Sequence, residues 1–436
     1  MFGCHRATYI QVQQPRPDAL RFVQSLCRDA FEKGVRYFFP DAVLSPRAEA
    51  AAFQPALTLH PADGGLDLEW MGVNYRQERT ARPLSSDERR MMAAVGAVIS
   101  ARYQSIVSAE PVAKLHLLEG LPEDRYVSAF LDPVGSGDVL AQAIGVLRQS
   151  SLITYESRRI STGVILVNDD LDAGRRAVPY DAALMSIKRF HRLCDGLHTV
   201  FLVNAAGMLV DLVDVERYAK SCGSAVLPAP GPERYRAHSL ATAGGGNVCL
   251  VLSPNGEIKI FAGGVQALHF LEGRWHITDL LEKYARFHEA VGDSAIAERL
   301  FVVALNLAEA RRGALFIVLD EGASAAGMVA PEDLLDDHKP NHATRAHYLL
   351  RDRTVVELEP TILQSIAGVD GGIVLDRRGR LLAFGAILRT NGASLAALEG
   401  GRSTAAMYAS RFGLALKVSE DGFVSFYRSG VRVWEI

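Results

Sequence analysis

The sequence predicts an α/β fold in which mixed β-sheets are flanked by helices. Segments with helical periodicity alternate with short β-rich apolar runs along most of the chain. The same series of elements occurs twice in the same order, which indicates an internal duplication. At 436 residues the chain is also longer than one compact core usually accommodates. We therefore expect an N-terminal α/β cap followed by two related domains.

The charge balance and the hydropathy pattern argue against several classes of partner. The formal net charge is −3, with acidic and basic residues nearly balanced, so we expect no nucleic acid partner and no anionic membrane surface. No window reaches the roughly 18 apolar residues that cross a bilayer, and the N-terminus lacks the apolar run of a leader. The five cysteines are scattered and contain no C-x-x-C pair. Together these features predict a cytoplasmic protein with reduced thiols.

Residues 1–134 form the predicted cap. Helical patterns occur at residues 17–33 and 85–102. The second pattern begins with Ser85, and Glu88 follows three residues later, which is the spacing of a capping box. No motif in the cap indicates a function.

The rest of the chain divides into two predicted copies, residues 135–285 and 286–436. Each copy contains a helix, a short strand, a helix that ends in Asp-Gly, a hairpin, and a last hairpin in which Ser precedes the turn Gly by three residues. The first copy has these as 138–152, 161–167, ALMSIKRFHRLCDG, VFLVNAAGMLVDL and CLVLSPNGEIKIFAGG, and the second as 297–311, 313–319, TILQSIAGVDGG, IVLDRRGRLLAFG and ALKVSEDGFVSFYRSG. The match predicts that both copies share one strand order.

The second copy carries a candidate metal and nucleotide motif at its Asp-Gly turn. Asp370 stands at the mouth of a predicted buried strand, where a carboxylate could hold a hard divalent cation that bridges phosphate oxygens. Gly371 and Gly372 have no side chain, so a ligand could approach the backbone closely there. An Asp-Gly pair alone is more often only a turn.

A candidate phosphate cradle follows at the start of the next helix. Its residues are Gly400, Gly401, Arg402, Ser403 and Thr404. Free N–H groups, the positive end of the helix and a guanidinium could converge there on an anion. Gly-Gly-Arg alone is more often a helix cap, but the cradle and the Asp-Gly turn together indicate a nucleotide site.

Residues 293–436 resemble the diadenylate cyclase domain, an α/β module that joins two ATP molecules into cyclic di-AMP. The resemblance is carried by four segments in the family order, NLAEARRGALFIVLDEG, VDGGIVLDRRGRLLAFG, EGGRSTAAMYASRFG and LKVSEDGFVSFYRSG. It implies ATP as the substrate and a homo-oligomer in which two C-terminal domains meet face to face. The 3′-hydroxyl of each ATP then attacks the α-phosphate of the other.

The resemblance also assigns roles to single residues. It implies Mg²⁺ or Mn²⁺ at Asp370, and it implies that Glu420 assists the metal or the attacking hydroxyl. The nucleotide contacts that it implies are Gly371, Gly372, Ile387, Leu388, Gly400, Gly401, Arg402, Ser403, Thr404 and Ser419.

The second copy departs from the family at the phosphate turn. Where the family has R-H-R, this chain has Arg402, Ser403 and Thr404, so one cation is expected to serve where several do. Gly372 replaces the Ala of the family turn. The loss of cations keeps a second hypothesis open, a sensor module that binds ATP or a cyclic dinucleotide without turnover. A third hypothesis is that both copies serve only as assembly interfaces.

The first copy departs further and resembles a degenerate cyclase-like domain, as in relatives whose N-terminal regions are regarded as sensors. It keeps Asp195 and Gly196, and the run 236–239, Arg-Ala-His-Ser, lies near the phosphate-turn position. Its Gly-x-Arg pattern is lost. We therefore expect any activity to come from pairing two C-terminal domains.

A further cluster of potential metal ligands lies between the first strand and the second helix of the second copy. Its members are Asp336, Asp337, His338, His342 and His347. Pro340 interrupts the helical spacing that would place His338 and His342 on one face. We therefore predict a solvated loop there and no metal site.

Overall fold

The computed structural model describes residues 17–50, 53–62, 65–79, 84–108, 122–131, 137–168, 171, 178–185, 187, 190–223, 225–335, 347–389 and 400–436. The chain divides into two compact units, Met1–Ala141 and Gln142–Ile436. Helices and mixed sheets alternate, which confirms the predicted α/β class.

The first unit is a small antiparallel sheet with helices. Its elements are α1 (Pro17–Phe38), β1 (Ala42–Glu49), β2 (Thr58–Ala62), β3 (Gly65–Trp70), β4 (Val73–Arg79), α2 (Ser86–Ser108) and α3 (Pro122–Leu131). The strands lie in the order β1-β4-β3-β2, and every neighbouring pair is antiparallel.

Aromatic packing and a helix cap hold the first unit together. Trp70 is fully buried against Phe31, and its indole N–H donates to Ser100 Oγ at 2.9 Å. At the start of α2, Glu88 N donates to Ser85 Oγ and Ser85 N donates to the Glu88 carboxylate. This reciprocal pair confirms the predicted capping box.

The second unit contains both predicted copies. After α4 (Gly137–Ser151), which crosses the limit between the units, the first copy runs through β5 (Thr154–Tyr155), β6 (Arg158–Arg159), β7 (Thr162–Leu166), β8 (Val178–Pro179), α5 (Ala182–Met185), β9 (Thr199–Val203), β10 (Met208–Asp214), α6 (Val215–Ser221), α7 (Arg236–Ala243), β11 (Val248–Leu252), β12 (Ile258–Ala262), β13 (Val265–Leu271), β14 (Arg274–Ile277) and α8 (Leu280–Val291). The second copy contains α9 (Ser294–Glu309), β15 (Ala314–Leu319), α10 (His347–Leu350), α11 (Pro360–Ala367), β16 (Gly372–Leu375), β17 (Leu381–Ala386), α12 (Gly400–Ala409), β18 (Gly413–Val418), β19 (Val424–Arg428) and β20 (Val431–Glu435).

The two large sheets share one strand order. In the first copy the order is β14-β13-β12-β11-β7-β9-β10-β8, and in the second it is β17-β16-β15-β18-β19-β20. Read from opposite ends, β13-β12-β11-β7-β9-β10 matches β20-β19-β18-β15-β16-β17. Each sheet has one parallel pair, β7 with β9 and β15 with β16, and the other pairs in both series are antiparallel. The described strands therefore have the shared order expected of a tandem duplication.

The structure does not test either of the two predicted domain limits. The limit at 285/286 falls inside α8, and Lys283 on that helix donates to the carbonyls of Thr278, in the first copy, and Glu435, in the second. The limit at 134/135 lies outside the described residues. Both limits stay predictions.

One predicted helix of the first copy is wrong. The segment before Asp195 is not continuously helical, because Ile187 lies outside both α5 and the 3₁₀ turn Phe190–Arg192. Packing accounts for the break. The Phe190 ring stacks on Phe201 at 4.6 Å, and Cys194 Sγ contacts the backbone N–H of Gly163 at 3.2 Å. These contacts hold the segment against the sheet, and its backbone forms bonds to the third residue back, such as Phe190 N–H to the carbonyl of Ile187, in place of a continuous α-helix.

A charged network joins the two copies. Lys259 on β12 donates to Glu309 at the end of α9 at 2.6 Å, and its ammonium lies 3.5 Å from Glu257. The guanidinium of Arg311 and the imidazole of His269 also contact the Glu257 carboxylate. The side chains of Lys259 and Glu257 are only 4% and 8% exposed, so each depends on its partners to offset desolvation.

We predict that Lys259→Met lowers the free energy of unfolding by roughly 3 kcal/mol, because it leaves Glu257 and Glu309 buried beside fewer cations. Arg286→Gln is the matched control, since Arg286 forms a partly exposed pair with Glu282 within α8. Its cost should be below about 1 kcal/mol. Urea unfolding followed by circular dichroism measures both values, and equal losses would contradict the role given to the network.

Candidate active site

The strand order places the candidate residues at one edge of the second sheet. β15 and β16 are parallel, so both begin at this edge, whereas β17 and β18 are antiparallel to them and end there. α12 packs on β18, and the chain leaves α12 at the opposite edge to enter that strand. The start of α12 therefore returns to the edge where β15 and β16 begin.

Arg402 lies at the centre of this edge. Its Nη1 donates to Glu420 Oε1 at 2.7 Å, and its Nη2 lies 3.5 Å from Asp370 Oδ1. A Cβ atom at Gly313, directly before β15, would lie 2.3 Å from Arg402 Nη1. Gly313 thus leaves the space that the guanidinium occupies. Three predicted residues from separate segments are brought together here, and Gly313 is a further member that the sequence analysis missed.

These charges face solvent. The side chain of Asp370 is fully exposed, that of Glu420 is 67% exposed and that of Arg402 is 39% exposed. Exposed ion pairs are weak and are screened by salt. The contacts of Arg402 can therefore be exchanged for those of a charged ligand at little cost.

The glycines at this edge of the sheet differ in whether the fold itself requires a residue without a side chain. Gly371 has φ +110°, and a Cβ there would lie 2.3 Å from the carbonyl carbon of Gly385 on β17. A Cβ at Gly372 would meet only ordinary contacts. The close approach of β17 thus requires Gly371 even without a ligand, which is a reason that the sequence analysis did not give. At Gly401, by contrast, no described atom lies within 4 Å of a Cβ position.

Lys417 supplies a cation that the sequence analysis missed. Its ammonium donates to Ser403 Oγ at 2.8 Å, and Ser403 is nearly fully buried in the first turns of α12. A second cation therefore lies beside the first turn of α12 together with Arg402. The signal was a lysine within the otherwise apolar strand GLALKV.

The other implied contacts differ in their surroundings. Ile387, directly after β17, is 76% exposed, whereas Leu388 is partly buried against the hydrophobic cluster under α12. Thr404 is half-buried in α12. The Ser419 hydroxyl is engaged with Asp421 in the turn between β18 and β19. Ile387 therefore offers an apolar surface at the edge, while Ser419 has a structural role in its turn.

The donor set fits a metal that is held largely by its ligand. Within the described parts of the chain, no group of three or more His, Cys, Asp or Glu side chains could hold a metal ion. Mg²⁺ commonly binds one or two carboxylates together with substrate phosphates. Asp370 and Glu420, both beside Arg402, match that pattern. In the predicted loop, Asp336, Asp337, His338 and His342 lie outside the described residues, and His347 begins α10.

The equivalent edge of the first copy follows from the strand pairing. Val248 on β11 and Leu414 on β18 are equivalent by strand register. The preceding helices α7 and α12 end the same number of residues before these positions, so Arg236 is equivalent to Arg402. Counting forward, Pro254 falls on the position of Glu420. The first copy thus lacks the glycines of Gly-x-Arg but keeps an arginine at this position, which agrees with the placement of residues 236–239 near the phosphate turn.

The Asp-Gly turns of the two copies are not equivalent. Phe201 and Ile373 hold the same register, but Asp195 lies six residues before Phe201 whereas Asp370 lies three before Ile373. His198 therefore stands in the position of Asp370. The Asp195 carboxylate accepts hydrogen bonds from three backbone N–H groups, those of Leu197, His198 and Thr199. Burial opposes ionisation of Asp195, but these bonds prevail and hold its pKa below the ordinary value.

His238 lies beneath this turn. It is fully buried, and its Nε2 lies 2.9 Å from the carbonyl oxygen of Gly196. The carbonyl can only accept, so Nε2 carries the proton of a neutral ring. Burial lowers the pKa of His238 to about 4, and the bond to Gly196 offsets this only in part.

We predict that His238 makes the protein less stable as the pH falls from 6.5 towards 4. In that window the unfolded histidine binds a proton and the folded one does not, so protonation favours unfolding. At pH 5 the wild type should lose roughly 2 kcal/mol from this group relative to pH 7. His238→Gln, which can still donate to Gly196, should lack this part of the loss. Urea unfolding at both pH values checks the prediction, and equal losses would contradict it.

Comparison with known proteins adds little to this geometry. No family model matches the chain, and no curated protein matches it. Similar solved structures include a hypothetical membrane-spanning protein from Bacillus cereus, at 19% identity and a TM-score of 0.27, with 35% of this chain and 70% of that chain covered. Another is a double mutant of DacA from Staphylococcus aureus, at 17% identity and a TM-score of 0.23, with 32% of this chain and 83% of that chain covered. Likenesses at this level do not establish a family. In the described part of this chain, no helix combines the length and apolar character needed to span a bilayer.

Proposed function

We propose that the C-terminal copy binds ATP with a divalent cation and joins two ATP molecules into cyclic di-AMP. One observation carries the proposal. Asp370, Arg402 and Glu420, which come from three separate segments, meet where α12 begins. This juxtaposition supports the nucleotide site that the resemblance of residues 293–436 implies.

The phosphate side of the proposed site consists of Arg402 and the start of α12. Without a nucleotide, the guanidinium of Arg402 is neutralised by Glu420 and Asp370. A triphosphate offers it more acceptors than these exposed carboxylates do, and the helix start adds N–H donors. Lys417, anchored on Ser403, adds positive charge to the first turns of the helix.

The metal side consists of Asp370 and Glu420. When Arg402 turns to phosphate, both carboxylates are left without their cation, and Mg²⁺ or Mn²⁺ would restore the balance. Such an ion would neutralise negative charge on the phosphate oxygens of ATP during the displacement at the α-phosphate. Asp370 and Glu420 would therefore hold the ion once Arg402 contacts the phosphates.

The reaction requires two of these edges. Each 3′-hydroxyl loses its proton and forms a bond to the α-phosphorus of the other ATP, and each displacement releases pyrophosphate. Positioning and charge stabilisation supply most of the catalysis in such a transfer. Since the first copy has His198 and Pro254 in place of Asp370 and Glu420, two C-terminal copies from separate subunits are the proposed pair.

A second function is favoured by the residues at the phosphate turn. Ser403 is nearly fully buried and its hydroxyl accepts a hydrogen bond from Lys417, so it is a poorer phosphate donor than the histidine of the family motif. This supports a sensor that binds ATP or a cyclic dinucleotide without turnover. The two functions differ in a single observable, the formation of product from bound ATP.

Asp370→Asn should abolish the product, because the neutral amide does not attract the cation, whereas Asp195→Asn should leave it nearly unchanged. The Asp195 carboxylate serves its own turn in the first copy. Purified protein is incubated with ATP and Mg²⁺ or Mn²⁺, and the dinucleotide is identified by mass spectrometry.

Two outcomes of this assay would contradict the proposal. If Asp195→Asn is as damaging as Asp370→Asn while the protein stays folded, the catalytic pairing lies within one chain. If the wild type binds ATP but forms no dinucleotide with either metal, the sensor function is correct.

Activity per protein molecule should rise with protein concentration, because two C-terminal copies must meet. An equimolar mixture of wild type and Asp370→Asn provides the control, since mixed pairs carry only one intact edge. Its activity should fall below half that of the wild type at the same total concentration. A specific activity that is independent of concentration, with strictly additive mixing, would exclude pairing between reversibly associating chains.

A further inference from the structure

The first copy has a large cavity at the edge equivalent to the candidate active site. The cavity has a volume of about 780 Å³, within the range of small-molecule sites. Leu197 and His198 line it directly before β9, Val215 lines it directly after β10, and Arg236 lines it at the start of α7. These are the elements whose counterparts carry Asp370, Ile387 and Arg402.

The charge of this edge differs from that of the second copy. His198 replaces Asp370, Pro254 replaces Glu420, and Arg236 retains the position of Arg402. The Asp195 carboxylate is occupied by three backbone N–H groups of its own turn. The edge has therefore lost the counterparts of Asp370 and Glu420 and has kept the cation that would bind an anion.

The rest of the lining combines charge with an apolar wall. Lys220 and Arg234 join Arg236 as cations, against the carboxylates of Glu216 and Glu233. The apolar members are Leu197, Val215, Ala219, Ala237 and Leu240. An excess of cations beside such a wall suits a ligand with a phosphate at one end and an apolar or aromatic group at the other.

We infer that this cavity binds an organic phosphate without a divalent metal, and that Arg236 contacts the phosphate. The site is separate from the one proposed for turnover, because it lies in the first copy and uses the counterpart of Arg402. Metal dependence distinguishes the two sites. EDTA should weaken binding at the edge with Asp370 and Glu420 and leave binding at the edge with Arg236 intact.

An exposed thiol provides a local reporter. Cys222 lies at the end of α6, between the cavity residues Lys220 and Gly223. Among the described residues, Cys27, Cys194 and Cys249 are buried. The rate at which N-ethylmaleimide modifies Cys222, measured on its peptide by mass spectrometry, should therefore report occupancy of this cavity and not of the second copy.

The test uses the full chain with ATP as the probe, in EDTA, with binding measured by calorimetry and by protection of Cys222. ATP should bind and slow the alkylation. Inorganic pyrophosphate should bind more weakly because it lacks an apolar part. Arg236→Gln should weaken ATP binding about tenfold, the equivalent of one charge-assisted contact.

Two control variants and one further cavity variant complete the design. Arg402→Gln removes the equivalent arginine of the second copy, so in EDTA it should leave the protection of Cys222 by ATP unchanged. Arg217→Gln removes an exposed cation of α6 that does not line the cavity, and it should also have no effect. Lys220→Gln should weaken binding in the same direction as Arg236→Gln, which guards against a folding defect in one variant.

The inference is overturned by any of three results. ATP and pyrophosphate could both fail to bind and to protect Cys222 in EDTA. Arg402→Gln or Arg217→Gln could reduce the protection of Cys222 as much as Arg236→Gln does. Pyrophosphate could bind as tightly as ATP, which would exclude an organic ligand that uses the apolar wall.

Discussion

The parallel pairing of β15 with β16 is the constraint on which the candidate site depends. It makes both strands begin at one edge, so Gly313 and Asp370 become neighbours although they are far apart in the chain. The antiparallel partner β18 must then end at the same edge and deliver Glu420. Arg402 enters the gap that Gly313 leaves and joins the two carboxylates. A shift of β16 by one residue would reverse the sides on which its residues face and separate this set.

The same pairing occurs in the first copy, where β7 and β9 are parallel. Identical topology therefore produces an equivalent edge with different chemistry. In the second copy one guanidinium is set between two carboxylates, which suits a metal and a polyphosphate together. In the first copy the arginine remains, but His198 and Pro254 stand where the carboxylates were. A duplicated scaffold of this kind can separate a metal-dependent site from a metal-independent one, because the sheet fixes only positions and the side chains decide the ligand.

Much of the fold could be predicted from the sequence because its signals are local. Short apolar runs, turn glycines and the Ser-x-x-Gly hairpins predicted the strands and predicted that both copies share one strand order, and Ser85 with Glu88 predicted the start of α2. The prediction of a continuous helix before Asp195 was wrong because the stacking of Phe190 on Phe201 is a tertiary contact, which sequence periodicity does not encode. The prediction that the Asp195 and Asp370 turns are equivalent was also wrong, because sequence motifs do not reveal strand register. A motif was matched where strand register shows three additional residues in the first copy.

The candidate site was only partly predictable. Asp370, Arg402 and Glu420 were identified by motif, whereas the places of Gly313 and Lys417 at the site follow from contacts between α12 and the strands. The most direct test of the proposed site is a crystal structure with a non-hydrolysable ATP analogue and Mn²⁺, in which anomalous scattering locates the metal. We predict Mn²⁺ on the Asp370 carboxylate, the triphosphate at the start of α12, and Arg402 moved from Glu420 to phosphate. A nucleotide bound elsewhere while Arg402 remains paired with Glu420 would contradict the proposed function.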